Sequence, residues 1–133
     1  MTSAGSWDKA LLVVRAALSK KASDVTVLEV RELTSIADYF VICSGRSDRQ
    51  VQSIAQGIEE EAHRARVGAP SVEGAGRGHW VLLDFSDVVV HVFYEPVRAF
   101  YDLDGLWSHA PRVALPEPYS TWAGRQRAAA DHP

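Results

Sequence analysis

The fold is decided by the stretch Tyr39-Phe40-Val41-Ile42-Cys43, which is apolar at every position and is followed by Ser44 and Gly45. A strand with one solvated face alternates apolar and polar residues, whereas a strand that is apolar throughout is covered on both faces. Ser47 and Gln50 follow with the spacing of a capping box, in which each side chain satisfies a free backbone amide at the start of a helix. The stretch therefore predicts a central strand that leads directly into a helix.

The sequence on either side of this stretch predicts the remaining elements. A Gly-rich link at 74–78 is typical of a flexible hinge, and Gly68, just before Pro70, predicts the end of the helix that begins after Ser47. The short turn at Ser86-Asp87 between two apolar runs predicts a β-hairpin. In chain order, we expect a helix over 7–21, a strand over 25–30, a strand over 39–43, a helix from 48, a short strand near 71–73, a hairpin over 79–93 and a helix over 95–107. The predicted fold class is α/β, with a mixed β-sheet sandwiched by helices.

The last 26 residues differ in composition from the rest of the chain. Residues 108–133 contain four of the six prolines and an alanine run at 128–130, and their apolar residues recur at no fixed period. We therefore predict a domain over 1–107 and a mostly disordered tail over 108–133. Tyr119 and Trp122 leave open a local docking of this tail onto the domain.

The composition of the chain limits the kinds of partner and site that the protein can have. The 133 residues carry a formal net charge of −3, which disfavours non-specific binding to a nucleic-acid backbone. No apolar stretch is long enough to span a bilayer, and the N-terminus lacks the features of a secretion signal, so we expect a cytoplasmic protein without membrane contact. A single cysteine, Cys43, excludes an internal disulfide and cysteine-rich zinc sites. The charge is uneven, because residues 71–110 contain six acidic residues but only Arg77 and Arg98 as basic ones.

Candidate catalytic groups each have a structural explanation. His79 and His91 lie on paired strands of the predicted hairpin, but two imidazoles do not form a metal site without a third ligand. Cys43 lies in an apolar strand that should raise its thiol pKa. Asp102 and Asp104 are two apart in a predicted helix, so their side chains diverge. The sequence thus predicts neither a metal nor a cofactor.

Gly45-Arg46-Ser47 is the best candidate for an anion site, because it leads into a helix whose free amides can bind phosphate. Ordinary capping by Ser47 explains the same residues without a ligand. A nucleotidyltransferase-like enzyme using this loop is therefore kept as an alternative, although it needs a pair of strand carboxylates that the sequence does not provide nearby.

Several motifs, in order and correctly spaced, resemble the ribosomal silencing factor family, also called RsfS or Iojap. The resemblance covers about residues 8–108. The matching stretches are Ile36 to Gly45, Ser47 to Val51, Val72-Glu73-Gly74, Trp80 to Asp84, Asp87 to Phe93, and Glu95, Arg98, Tyr101, Leu103, Leu106 and Trp107. Gly105 departs from the family pattern, which has a longer polar residue there, and the tail lies outside that pattern.

The resemblance implies a nucleotidyltransferase-like topology without catalytic residues. It implies binding to the large ribosomal subunit through its ribosomal protein fourteen, at the face where the small subunit docks. Such binding would block subunit joining and repress translation, and organellar relatives also act in large-subunit assembly. The acidic region 71–110 suits a basic ribosomal protein. A long apolar hairpin also favours a homodimer in the free protein, and a dimeric adaptor for another protein partner stays open as a third reading.

Carried onto this sequence, the resemblance implies a binding surface built from Asp38, Tyr39, Trp80, Asp84, His91, Phe93, Glu95, Tyr101 and Trp107. Some of these residues also fit structural roles. Trp80 fits either the core or an interface anchor, Tyr39 and Phe93 fit the core better, and Asp38 fits a turn equally well.

Overall fold

The computed structural model describes residues 4–131 and builds them into five strands and five helices. No helix in this part of the chain is long and apolar enough to cross a membrane. In chain order the elements are α1 (Ala4–Ser19), β1 (Ser23–Glu29), β2 (Tyr39–Gly45), α2 (Asp48–Ala65), β3 (Ser71–Glu73), β4 (Trp80–Asp84), β5 (Val88–Tyr94), α3 (Glu95–Tyr101), α4 (Leu103–Leu106) and α5 (Tyr119–Asp131).

The five strands form one mixed sheet in the order β1-β2-β5-β4-β3. Strands β2 and β5 are parallel, with Ile42 opposite His91, and the other neighbouring pairs are antiparallel. All seven residues of β2 are buried, as its continuous apolar run predicts. The predicted fold class, a mixed α/β sheet sandwiched by helices, is confirmed.

One side of the sheet, here called the helical face, is covered by α1, α2 and α5. Its core contains the side chains of Val27, Val41, Cys43, Val81, Leu83, Val88, Val90 and Val92 from the strands. Helix α2 contributes Val51, Ile54 and Ile58, each with no exposed surface, at the three- and four-residue spacing of an amphipathic helix.

The other side of the sheet, here called the open face, carries Leu28, Phe40, Ile42, Val89 and Phe93. The short helices α3 and α4, the segment that follows them and the β1–β2 connection, through Val30 and Ala37, pack against it. Trp80 and Leu82, on β4, remain partly exposed at its margin. The sheet is therefore fully covered on one side and incompletely covered on the other.

The capping residues of α2 confirm one part of the sequence analysis and correct another. The Ser47 hydroxyl accepts a hydrogen bond from the Gln50 amide at 3.0 Å, and Gln50 Oε1 accepts one from the Arg46 amide at 2.8 Å. The predicted stop at Gly68 is wrong by two residues. Arg66 ends the helix in the left-handed conformation, with φ of 58°, and its amide donates to the carbonyls of the last turn.

The predicted helix over 95–107 is two short helices, because Asp102 adopts a left-handed conformation with φ of 51°. Its carboxylate accepts a hydrogen bond from the Gly105 amide at 3.1 Å and so begins α4. The aspartate therefore ends one helix and caps the next, a double role that side-chain periodicity cannot signal.

The Gly-rich link at 74–78 is a tight turn rather than the expected hinge. The Gly78 amide donates to the Gly74 carbonyl at 3.3 Å, and Gly74 has a φ of 83°. A Cβ at Gly74 would clash with the carbonyl oxygen of Trp80, so this glycine permits the close approach of β3 to the start of β4.

The prediction of a disordered tail is wrong for the residues that the structure describes; residues 132 and 133 lie outside them. Residues 111–113 pair with the free edge of β1, where the Val113 amide donates to Val27 at 2.9 Å and the Glu29 amide donates to Pro111 at 2.9 Å. Tyr119 and Trp122 then pack against the helical face. The physical reason is that residues of the tail supply hydrogen-bond partners to the unpaired backbone groups of an edge strand. The tail also packs through single apolar side chains, which do not produce a regular apolar period in the sequence.

Candidate partner-binding face

Trp80 begins β4 on the open face of the sheet. The side chains of β4 alternate, so that Val81 and Leu83 are fully buried towards the helices. Trp80, Leu82 and Asp84 therefore project to the opposite side, where Trp80 and Leu82 are half-buried and Asp84 is exposed. The sequence left open whether Trp80 is core or anchor, and the structure places it between the two.

The Trp80 indole is held by three neighbours. Its ring centroid lies 4.8 Å from that of Phe93 and 5.1 Å from that of Tyr101. Its Nε1–H donates a hydrogen bond to His91 Nδ1 at 3.2 Å. The indole is therefore fixed in place before any partner arrives, although part of its surface is open to solvent.

His91 lies beneath Trp80 in the middle of β5 and is 6% exposed. Burial lowers the pKa of His91 to about 4, so the imidazole is neutral at physiological pH. Its ring meets Phe40 edge-on at 5.3 Å, and Phe40 in turn meets Trp107 at 4.8 Å. A row of rings thus crosses the open face from β4 to the segment after α4.

Two solvent-exposed carboxylates lie on the open face of the sheet. Asp84 is exposed, and its Oδ1 accepts a hydrogen bond from the Ser86 amide at 2.7 Å. Glu73 on β3 is also exposed and stands opposite Leu82 in the antiparallel register. We call the set Trp80, Leu82, Asp84, Glu73 and Tyr101 the aromatic face. It offers apolar ring surface next to negative charge, which suits a partner that presents basic and apolar side chains.

Exposed apolar residues extend the aromatic face along α3 and α4. Tyr101 is 52% exposed, Phe100 is 81% exposed and Leu106 is 76% exposed. The Phe100 and Tyr101 rings meet edge-on at 5.1 Å. The binding surface that the sequence implied includes Tyr101 but not Phe100, Leu106 or Leu82.

Three predicted site residues are corrected by their burial. Phe93 has no exposed surface and His91 has very little, so both support Trp80 from below rather than forming part of an exposed surface. Tyr39 is buried on the helical face, where its ring packs 5.4 Å from Trp7 and its hydroxyl accepts a hydrogen bond from Arg31. Because β2 is apolar at every position, its sequence does not indicate which residues face which side of the sheet, and the position of Tyr39 could not be predicted.

Asp38 and Glu95 lie at opposite ends of the sheet. Asp38 directly precedes β2, and Glu95 directly follows β5, two residues after the Phe93 that pairs with Trp80. The Asp38 amide and carbonyl both pair with backbone, to Asp87 at 2.7 Å and Val30 at 2.9 Å, so Asp38 serves as a turn residue. The Glu95 carboxylate accepts a hydrogen bond from Ser23 at 3.2 Å. The structure therefore does not bring these two carboxylates together with the aromatic face.

Groups that could have supported catalysis are engaged elsewhere. Burial raises the pKa of Cys43 to about 12, which leaves its thiol protonated at neutral pH. The Arg98 guanidinium binds both oxygens of Asp104, at 3.1 and 3.0 Å, and its hydrogen bonds hold the pKa of that carboxyl below its usual value. Within residues 4–131, no three His, Cys, Asp or Glu side chains are arranged to hold a metal ion.

Comparison with known proteins decides the family. The family model described as "Ribosomal silencing factor during starvation" matches residues 3–132. The chain belongs to the ribosomal silencing factor family. The chain is 42% identical over 109 residues to the ribosomal silencing factor RsfS of Bacillus subtilis, an alignment that covers 80% of this chain and 92% of that protein. The match also corrects the expectation that the tail lies outside the family pattern.

Solved structures agree with the fold. A crystal structure from Bacillus halodurans superimposes with a TM-score of 0.71 at 40% identity and covers 79% of this chain and 95% of its own. One from Chromobacterium violaceum gives a TM-score of 0.75 at 32% identity, covering 86% and 97%. The mixed sheet and its helices are thus shared with chains of comparable length.

Proposed function

We propose that this protein binds the large ribosomal subunit through ribosomal protein fourteen, blocks docking of the small subunit and so represses translation in the cytoplasm. In this proposal the protein acts as a binding protein and needs no cofactor. The aromatic face supplies the contact, with Trp80 as its central anchor. A role in large-subunit assembly is compatible with the same contact.

The observation that carries this proposal is the half-buried, fixed Trp80 on the same side of the sheet as the exposed carboxylates of Asp84 and Glu73. Large aromatic residues with a defined pose at the centre of a patch supply most of the affinity at protein interfaces. Carboxylates around such an anchor favour a basic partner and increase the rate of association. Ribosomal proteins are typically basic because they pack against RNA, so the chemistry of the face fits a ribosomal protein.

Sedimentation of purified subunits tests the proposal. We expect the protein to travel with the large subunit and not with the small one. When both subunits are mixed under conditions that favour joining, saturating protein should lower the yield of joined ribosomes. Equal migration with both subunits, or undiminished joining, would contradict the proposal. Association with neither subunit would favour the reading as an adaptor for another protein.

We also propose that the free protein is a homodimer at micromolar concentration. Phe100, Tyr101 and Leu106 expose apolar surface on α3 and α4, where Tyr101 packs against Trp80 and Phe100 packs against Tyr101. Exposed apolar surface of this kind is typical of an interaction site. Light scattering across the micromolar range should report twice the chain mass. A monomer mass throughout that range would remove this part of the proposal.

The nucleotidyltransferase alternative gains no support from the loop at Gly45-Arg46-Ser47. The Ser47 hydroxyl and the Arg46 amide are both engaged by Gln50, as ordinary helix capping requires. Equilibrium binding of a nucleoside triphosphate with magnesium tests it directly. We expect no saturable binding at millimolar nucleotide.

A further inference from the structure

His91 has a buried nitrogen that ordinary packing does not explain. The imidazole Nδ1 accepts the Trp80 indole hydrogen bond, while Nε2 is buried and has no hydrogen-bond partner among the described residues. Its surroundings are Phe40, Phe93 and Trp80. Buried polar atoms in folded proteins are nearly always paired, so an unpaired one calls for a reason.

The hydrogen-bond chemistry fixes where the His91 proton lies. An indole N–H can only donate, so Nδ1 must be the unprotonated nitrogen and the neutral ring carries its hydrogen on Nε2. That N–H then has no acceptor, which is a cost that an aliphatic side chain of similar size would avoid. The position therefore sacrifices stability to keep an acceptor beneath Trp80, and such local compromises are typical of functional sites.

The hydrogen bond determines which surface of Trp80 a partner meets. Because the Trp80 Nε1–H already donates to His91 Nδ1, the exposed part of the indole is apolar ring. A partner therefore need not supply a hydrogen-bond acceptor for it. Phe93 and Tyr101 restrict the ring further at 4.8 and 5.1 Å. A side chain that is already fixed in its bound pose loses less conformational freedom on binding, which increases affinity.

We propose that His91 is a positioning residue: its Nδ1 holds the Trp80 indole in the pose that meets the ribosomal partner, and His91 itself does not touch that partner. This inference rests on the proposed function, because the affinity it controls is that for the large subunit. It assigns to His91 a role different from the direct contact that the sequence resemblance implies.

Two substitutions separate the acceptor from the rest of the side chain. His91→Asn keeps an acceptor oxygen near the place of Nδ1, whereas His91→Leu removes the acceptor and also the unpaired Nε2–H. We expect His91→Leu to bind the large subunit about tenfold more weakly, the effect of losing roughly one hydrogen bond. We expect His91→Asn to bind within a few-fold of the original protein. The thermal midpoint of His91→Leu should be unchanged or higher, which a merely structural histidine would not allow.

Nuclear magnetic resonance reports the same contact without the ribosome. In protein labelled with ¹⁵N at tryptophan and histidine, the Trp80 indole signal is assigned by its absence from Trp80→Phe. We expect His91 in the Nε2–H form and an indole proton of Trp80 that exchanges with solvent at least tenfold faster in His91→Leu. Unchanged exchange together with unchanged affinity in His91→Leu would overturn the inference. Equal weakening by both substitutions would also overturn it, because His91 would then contact the partner directly.

A double substitution tests the same contact in a second way, and the single variant Trp80→Phe keeps the His91 side chain if His91→Leu folds poorly. Trp80→Phe retains the ring but lacks the N–H, so adding His91→Leu to it should cause no further loss of affinity. A further tenfold loss in that background would contradict the positioning role. If the original protein does not bind the large subunit at all, the proposed function fails, and the resonance measurements still decide whether His91 holds Trp80.

Discussion

The two faces of the sheet bury their apolar residues to different degrees. The helical face is covered by α1, α2 and α5, and the side chains of Val41, Ile54 and Ile58 there have no exposed surface. The open face carries two short helices and leaves Trp80, Leu82 and Tyr101 in contact with solvent. The difference teaches that one face supplies most of the stability, while the other leaves apolar surface exposed, and this is the face to which we assign the proposed partner contact.

The largest expected effect is on the helical face. Ile58→Ala removes a fully buried side chain and should lower the free energy of unfolding by about 3 kcal/mol. The affinity of the folded fraction for the large subunit should stay the same. Denaturant unfolding measures the first quantity, and Leu82→Ala on the open face provides the comparison. A smaller loss for Ile58→Ala than for Leu82→Ala would reverse our assignment of the two faces.

Acid should destabilise the protein through the open face. Because the pKa of His91 is about 4 when folded and near 6.5 when unfolded, the unfolded chain binds more protons between these values. The contribution of neutral His91 is fully present above pH 6.5, falls as pH drops towards 4, and levels off below that. The total loss is about 3 kcal/mol at most. Unfolding measured from pH 7 to 4 should show this slope, and His91→Leu should flatten it.

The docked tail should contribute a smaller share of stability. Trp122 is partly buried against the helical face, so Trp122→Ala should lower the free energy of unfolding by about 2 kcal/mol. Limited proteolysis should then cut the chain after residue 113 more readily. Binding to the large subunit should not change. If Trp122→Ala left both the free energy of unfolding and the rate of cleavage unchanged, the packing of α5 against the helical face would be contradicted.

The smallest expected effect concerns charge on the aromatic face. Asp84→Lys should slow association with the large subunit severalfold at low salt and less at high salt, because screening weakens long-range attraction. Asp84→Asn keeps an acceptor for the Ser86 amide and should show a weaker effect of the same kind. Glu59→Lys, on the exposed side of α2, is the matched control for a change of charge. Equal slowing by Glu59→Lys would mean that net charge, not the aromatic face, sets the rate.

Element order and sheet type could be predicted because they depend on local patterns. The apolar run at 39–43 and the capping spacing of Ser47 and Gln50 are short-range signals, and both correspond to what the structure contains. When a strand is apolar at every position, its sequence does not show which residues face which side of the sheet. Tyr39 therefore could not be assigned to the helical face. The tail could not be predicted either, since Trp122 and the edge pairing at residues 111–113 depend on surfaces made by distant residues.

The candidate site was predictable in part for the same reason. Trp80 and Asp84 project from the same side of β4, as strand alternation suggests, and Tyr101 packs against the Trp80 ring. His91 and Phe93 are buried because the Trp80 ring lies across them. Strand alternation predicts which face they are on, but their burial depends on where the Trp80 side chain packs. Phe100 and Leu106 were missed because the break at Asp102 turns a single predicted helix into two.

The most direct test titrates the large ribosomal subunit with three proteins: the original chain, Trp80→Ala and Trp122→Ala. The two substitutions remove the same side chain from opposite faces, so effects of size and fluorescence are matched. We expect Trp80→Ala to weaken binding by about 2 kcal/mol, roughly 30-fold, and Trp122→Ala to leave it unchanged at a temperature where both are folded. Undiminished binding by folded Trp80→Ala would contradict the claim that the open face docks on the ribosome.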